Sequence, residues 1–331
     1  MLGKACWSNY EMYPISGYFS KLGAHLTMLS DENRLKTFES ALRESIVPGE
    51  SVVVDIGTGT GILAMLAARL GAKRVYAIEV GNIANVAERI ISKNGLNNQI
   101  GILRGRAADV KVPEKADIIV SETLGFTGLE ENIMEIFADA VKKFGKPETV
   151  LIPSVIDVFV APVTDNSVQK QLVDVWSKPI AGIDYSFLSE LAQSNIFTRQ
   201  VFDEDVLIGT EALVASAKLG DIPSNCGFKG ISIIKHGGIV NGLAGWFVAK
   251  MTNKIDLSSA PIKNSLGNHW QQFFISFGDE TKVQKDDELT INLTVANGFI
   301  WDIKHRRDGK LLKCIKLNND RLDRILKGEN L

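Results

Sequence analysis

Between residues 50 and 153, short β-branched runs alternate with helical patterns of ten or more positions, which is how a parallel, doubly wound sheet is written. Ser51 to Ile56 predicts the first strand. It runs into Gly57-Thr58-Gly59-Thr60-Gly61 and then an Ala/Leu-rich helix closed at Gly71, after which Arg74 to Glu79 predicts the second strand. Ile83 to Gly95 is the next helix, Ile100 to Gly105 and Ala116 to Glu122 the next strands. Beyond a loop, a helix from Asn132 to Gly145 leads to the run Glu148 to Pro153.

After Pro153 the period drops to two: Val155 to Val163, Gly242 to Met251, Gln271 to Phe277 and Leu289 to Val295 are short alternating segments between Gly, Asn and Asp turns. That pattern predicts antiparallel β structure, a barrel or a sandwich. One stretch, Asp165 to Ser194, reads instead as a helical insertion that such a domain does not need.

At 331 residues the chain passes the ~250–300 at which a single core stops growing, so two domains are expected. A net charge of -2 gives no basic footprint for nucleic acid. No apolar run reaches the ~18 residues of a membrane span, and the first residues lack the apolar stretch of a signal peptide. Cys6, Cys226 and Cys314 have neither disulfide nor zinc spacing and read as buried thiols in a reducing, cytoplasmic setting, with no metal site.

The glycine turn carries the first chemistry. Glycines allow the sharp strand-to-helix turn and a close approach of backbone to ligand. The spacing is G-x-G-x-G and Asp55 precedes it, whereas a dinucleotide site carries G-x-G-x-x-G with pyrophosphate over the helix N-terminus. A carboxylate at Asp55 repels pyrophosphate and suits the ammonium of a methionine moiety. Glu79, ending the second strand, is placed to accept from both ribose hydroxyls. These features point to S-adenosyl-L-methionine; a nicotinamide dinucleotide, or a glycine turn with no ligand, are the competing readings.

The second motif, Ser121 to Glu131, follows the fourth strand, where open α/β sheets place their sites. It lacks the Asn/Asp-Pro-Pro-aromatic run of methyltransferases acting on adenine, cytosine or glutamine amides. Instead it offers Glu122 and Glu131 on either side of a glycine-containing loop. Two carboxylates suit a guanidinium, which remains charged and presents five donors in a planar fork. The competing reading is that Glu130 and Glu131 favour the positive end of the following helix.

Glu122 and Glu131 have the spacing of the double-glutamate loop of the protein arginine methyltransferases, and the chain resembles that family elsewhere. Gly23 to Arg34 is similar to its N-terminal segment G-x-H-x-x-M-L-x-D-x-x-R without a gap. Asn268-His269-Trp270 is similar to its Thr-His-Trp loop, and Trp176 with Ile180 to Ser186 resembles its dimerisation arm. The matches run in the family's order over roughly residues 20 to 300.

The resemblance implies a Rossmann-like S-adenosylmethionine-dependent methyltransferase domain (46–152) followed by an antiparallel β-barrel domain (153–331) with a helical dimerisation arm at about 165–195, and a homodimer. An N-terminal helical segment (1–45) would complete the cofactor site. His25, Met28 and Arg34 would meet the cofactor's methionine end, Arg34 at its carboxylate, beside Asp55, Gly57, Gly59, Gly61 and Glu79. His269 would pair with Asp31, as a proton relay or as a structural pair. Expected activity is methyl transfer to an arginine guanidino nitrogen in protein or peptide; free arginine, or a cofactor-binding scaffold without transfer, are the alternatives. Nucleic acid and membrane are not expected partners.

The chain also departs from the family. Thr123-Leu124 replaces Trp-Met after the first glutamate, and Glu130-Glu131-Asn132-Ile133 replaces Tyr-Glu-Ser-Met. Where the family has an acid for the adenine amine, Ala107-Ala108-Asp109 stands; Ala107 and Asp109 are the cofactor-binding candidates there, and either Asp109 accepts from the amine from the next position or that bond is missing. Tyr13, Tyr18 and Phe19 are candidates for an aromatic lid. Trp246 and Trp301 are expected in the barrel core, His236 in a turn, and His305 to Gly309 at a charged hairpin tip.

Overall fold

The computed structural model describes residues 22–164, 167, 169–193, 195–199, 204–221, 227–261, 269–295, 299–319 and 325. Cys6, Cys226, Asn268 and the aromatic candidates Tyr13, Tyr18 and Phe19 lie outside the described residues.

Five parallel strands, β1 (Val52–Ile56), β2 (Arg74–Glu79), β3 (Ile100–Arg104), β4 (Ala116–Ser121) and β5 (Gly145–Ile152), form one sheet in the order β3-β2-β1-β4-β5. All five residues of β1 are buried, because a central parallel strand is covered on both faces. Among the described residues two helices precede the sheet, α1 (Leu22–Ser30) and α2 (Glu32–Ser45); α3 (Ile62–Arg69), α4 (Ala84–Lys93) and α5 (Ile133–Phe144) connect or follow its strands. The order reverses between β1 and β4, so the crevice beyond their carboxyl ends is the expected ligand position. Ser121 Oγ donates to the Ile56 carbonyl at 2.7 Å and ties those two ends together.

The buried positions of α2 are Arg34, Phe38, Ala41 and Leu42, spaced to lie on one face. Three are apolar and pack on the sheet. The fourth is a guanidinium, which on a core-facing stripe requires a buried anion.

Ten antiparallel strands follow among the described residues. One sheet contains β6 (Val155–Val163), β7 (Ile196–Arg199), β8 (Ala212–Lys218), β10 (Gly238–Lys250), β11 (Asp256–Ser258) and β12 (Gln272–Val283). Its order is β7-β12-β10-β6-β8, with β11 beside β10. The other contains β9 (Gly227–Ile233), β13 (Glu288–Val295), β14 (Phe299–Arg307) and β15 (Lys310–Asn318), in the order β15-β14-β13-β9. Alternating burial along β8 and β14 turns one side chain in two toward the core, where Trp246 and Trp301 are buried as expected. A single apolar cluster runs from Phe38 and the parallel sheet through Phe247 and Phe273 to Ile303, so the two halves share one continuous core.

Three expectations change. The insertion is not one helix: among the described residues Gln169–Val173 is a π turn, Asp174–Ser177 a 3₁₀ turn and Ser186–Gln193 (α6) an α-helix. Between them Ala181 and Gly182 take positive φ and Ile180 bridges to Ile183, since the Pro179-Ile180-Ala181-Gly182 sequence turns rather than continuing a helix. His305 is not an exposed tip residue. It is buried and shares Asp287 with Arg307, whose guanidinium makes two bonds to that carboxylate at 2.7 and 2.8 Å. Only Asp308 and Gly309, both at positive φ, form the tip. Cys314 is exposed on β15 rather than buried.

Candidate active site

The glycine turn leaves β1 with Gly57, Gly59 and Gly61 all at positive φ, and a Cβ at Gly59 would lie 3.3 Å from the buried His25 ring on α1. Asp55 stands at the base of this cradle. Its Oδ2 accepts from Thr58 Oγ1 at 2.5 Å and from the Ala64 N–H of α3 at 3.0 Å, while its buried Oδ1 has no hydrogen-bond partner among the described residues. Burial raises the carboxyl to about 6; the Thr58 and Ala64 bonds oppose that rise, and the charge of Glu79 adds to it. Glu79 spends one oxygen on the Gly59 N–H at 3.0 Å and the other on Gly81 N–H at 2.6 Å, which fixes its carboxylate across the cradle mouth.

Opposite, Asp31 caps α2 by accepting the Arg34 N–H at 2.9 Å. The start of that helix points the Arg34 side chain into the crevice, where Nε and Nη2 both reach Glu122 Oε2, at 2.9 and 2.5 Å, and Nη1 donates to the Met28 carbonyl at 3.3 Å. Both members of the ion pair are nearly buried, at 5% and 7% side-chain exposure. Arg34, expected at a cofactor carboxylate, therefore stands between the cradle and the acceptor loop. Met28 is half-buried and meets the site through its backbone carbonyl.

Glu131 ends the loop. Its carboxylate makes no hydrogen bond among the described residues, and burial, then the charges of Glu122 and Glu130, raise it to about 8. Asn132 follows in the left-handed region, a conformation that asparagine tolerates, and opens α5. The competing sequence reading, acids resting on a helix terminus, fits neither glutamate: Glu130 is turned back into the loop, and Glu131 is desolvated beside like charge.

The barrel supplies the remaining wall. His269 donates its backbone N–H to Asp31 Oδ2 at 2.9 Å, and its Nδ1 lies at 2.9 Å from the same oxygen. Trp270 Nε1 donates to the Leu124 carbonyl at 2.8 Å and its ring packs edge-on against Phe247. Asp31 is desolvated, which raises its pKa, but the His269 side chain and the Arg34 and His269 N–H groups outweigh that and hold it below the ordinary carboxylate range.

Asp31, Arg34, Glu122, Glu131 and His269 thus converge from three parts of the chain, with Asp55, Glu79 and His25 next to them. Ala107 is buried beyond β3, whereas Asp109 is exposed in the turn that follows and is not drawn into this group. Thr58, Glu130 and Trp270 were not among the expected site residues. Thr58 and Glu130 act through hydrogen bonds within short loops, to Asp55 and to the Thr127 and Leu129 N–H groups, which residue spacing alone does not reveal.

The sequence matches the model of the ribosomal protein L11 methyltransferase over residues 35–170, and that of the arginine methyltransferase oligomerization subdomain over residues 156–308. It is 30% identical over 294 residues to protein arginine N-methyltransferase 6 of Xenopus tropicalis, covering 84% of this chain and 85% of that one. It is 28% identical over 326 residues to probable protein arginine N-methyltransferase 6 of Arabidopsis thaliana, covering 84% and 74%. Among solved structures, the fold is shared with the Trypanosoma brucei PRMT1 enzyme-prozyme heterotetrameric complex with AdoHcy, at TM-score 0.80 and 21% identity over 91% of this chain and 99% of that one. Arabidopsis thaliana protein arginine methyltransferase 10 matches at TM-score 0.77 and 22% identity, covering 90% and 98%.

Asp31 joins the helix start to the barrel, so Asp31→Ala should cost about 1–2 kcal/mol, read as a lowered urea midpoint. Because its native pKa is depressed, the stability it contributes is complete above the unfolded value and is lost as pH falls through the native one. Wild type should therefore lose more of its midpoint on acidification than the variant, and equal losses would remove Asp31 from this role.

Proposed function

The chain belongs to the protein arginine N-methyltransferase family, and from that premise we propose that Glu122 and Glu131 hold the guanidinium of an arginine in a protein acceptor, beside a cofactor seated on the glycine cradle. It is an S-adenosylmethionine-dependent enzyme that methylates arginine. The observation that carries the acceptor assignment is the state of Glu131: a half-buried carboxyl with no donor among the described residues, raised by desolvation and then by like charge, is relieved by a cation with several N–H groups.

The cradle fits S-adenosylmethionine on its own features. The buried, unpartnered Asp55 Oδ1 would accept from the ammonium, and Arg34 would face the carboxylate while keeping Glu122 in place. Glu79 has acceptor capacity left for ribose hydroxyls, and the glycines leave no side chains in the way. When bound, the cofactor supplies a methyl on a sulfonium, open to in-line displacement.

Glu122 and Glu131 orient one guanidino nitrogen and concentrate its lone pair by accepting from the other N–H groups. Once that nitrogen carried the methyl it would be acidic and would have to lose a proton. His269, its Nδ1 held on Asp31, has Nε2 available to take the proton, so the Asp31–His269 pair is assigned the relay as well as the joint between α2 and the barrel.

We also assign the arm to self-association. Ile180, Ile183, Tyr185 and Phe187 are exposed on it, and Leu22, Leu26 and Leu29 are exposed on α1, two apolar patches suited to a reciprocal dimer. The setting is assigned as cytoplasmic, where a thiol as exposed as Cys314 stays reduced.

With labelled S-adenosylmethionine, an arginine-rich protein extract and a glycine/arginine-rich peptide should take up label, and Glu122→Gln should abolish it while S-adenosylhomocysteine binding survives. Label in free arginine alone would replace the protein acceptor, and no label despite cofactor binding would overturn the assignment. kcat/KM for the acceptor should rise with pH to a plateau above about 8, because Glu131 must lose its proton to hold a guanidinium. A flat profile would show that Glu131 is already ionised. Ile183→Asp with Phe187→Asp should convert the dimer to monomer in sedimentation velocity; a wild-type monomer would refute the assigned contact.

A further inference from the structure

The acceptor loop leaves β4 through Ser121, Glu122, Thr123 and Leu124. Ser121 is fully buried level with Ile56 of β1, whose carbonyl takes its hydroxyl proton at 2.7 Å. Leu124 is buried as well, and its carbonyl accepts from Trp270 of the barrel. Between them Glu122 spends Oε2 on Arg34, while its Oε1 lies 3.5 Å from the Leu124 N–H. Thr123, half-buried, faces both ways. Its Oγ1 is 3.2 Å from Ser121 Oγ. Its Cγ2 takes the space over the first glycine of the cofactor turn, since a Cβ on Gly57 would lie 3.3 Å from it.

Proton counting fixes the direction of the hydroxyl contact. A serine hydroxyl has one proton, and that of Ser121 is committed to Ile56, so Thr123 is the donor. The bonds therefore run from Thr123 through Ser121 to the last residue of β1, the strand that enters the glycine turn. The hydroxyl branch ties the backbone beside Glu122 to that strand. The methyl branch backs Gly57, which holds a φ of 70° with its N–H on the Ile78 carbonyl and has no side chain to fill the space itself. One polar and one apolar branch on a stiff χ1 meet both needs at once. Thr123 stands where the family pattern usually has tryptophan, which has no hydroxyl to donate, so this joint is a feature of the present sequence.

We propose that Thr123 is a positioning residue that joins the two ligand sites: its hydroxyl, through Ser121, holds Glu122 in register for the acceptor guanidinium, and its methyl braces Gly57 in the cofactor turn. This rests on the acceptor assignment of Glu122 and Glu131. Thr123 moves no proton and carries no charge. It keeps the acceptor loop and the glycine turn at a fixed separation, which an in-line transfer between their two ligands requires.

Two variants each remove one branch. Thr123→Val keeps the methyl and loses the hydroxyl, whereas Thr123→Ser keeps the hydroxyl and loses the methyl. For each, kcat and KM are measured with a glycine/arginine-rich peptide, S-adenosylhomocysteine affinity by calorimetry, and the urea midpoint as the check that the chain folds. Thr123→Val should raise the peptide KM several-fold, the scale of one lost hydrogen bond, with S-adenosylhomocysteine affinity unchanged. Thr123→Ser should do the reverse, weakening S-adenosylhomocysteine several-fold and leaving the peptide KM at the wild-type value. In both, kcat should fall, because a looser joint spoils the in-line approach. Any other pattern of the two affinities in folded variants overturns the proposal, including a lowered urea midpoint with both unchanged, which marks a structural contact only. If one variant does not fold, the other decides by its own pair of constants. A wild-type protein that binds cofactor but methylates no arginine overturns the underlying acceptor assignment, and this inference with it.

Discussion

A surplus of buried carboxylate over cation is the constraint on which this structure turns. Asp55, Glu122, Glu130 and Glu131 lie within one crevice, and the guanidinium of Arg34 is committed to Glu122. An isolated buried carboxylate costs several kcal/mol, so such groups hold their protons or take a counter-charge. Both responses are present. Glu122 is paired, whereas burial raises Asp55 to about 6 and Glu131 to about 8. A site in this condition favours cationic occupants, and the two ligands of arginine methylation both bring one: the ammonium and sulfonium of the cofactor, and the guanidinium of the acceptor.

Keeping that surplus stable requires walls that exclude water without moving. The parallel sheet supplies two of them where its strand order reverses, with Ser121 pinning β4 to β1. The N-terminal helices supply the counter-charge, delivered by Arg34 on the buried face of α2 and aimed by the Asp31 cap. The barrel closes the site through two adjacent residues, His269 on Asp31 and Trp270 on the Leu124 carbonyl. One carboxylate, Asp31, thus joins the helix start to the barrel, and the continuous apolar core beneath keeps the halves in register.

The acids at the centre were readable because each occupies a position with a mechanical meaning. Asp55 and the glycines sit at the strand-to-helix turn, Glu79 ends the next strand, and Glu122 follows the fourth, all at the carboxyl edge where such sheets bind ligands. Asp31, Arg34 and His269 were readable only through resemblance, since neither periodicity nor spacing relates residues 238 positions apart. Thr58 remained hidden, being a polar residue whose role rests on a side-chain bond to Asp55, and the contact of Trp270 with the Leu124 carbonyl was no more visible. The insertion was misread as continuous helix because its composition favours helix on either side of Pro179 to Gly182, where the backbone turns.

By itself the sequence determined the strand and helix alternation, the change to antiparallel β after Pro153 and the identity of the paired carboxylates, because these depend on local period and on residue chemistry. Tertiary structure alone decided that Arg34 pairs with Glu122, that Glu130 folds inward while Glu131 has no donor among the described residues, and that Asp109 remains outside the group. Those outcomes depend on desolvation and on distances between segments remote in the chain. Burial and proximity of charge are properties of the packed molecule, and no local pattern encodes them.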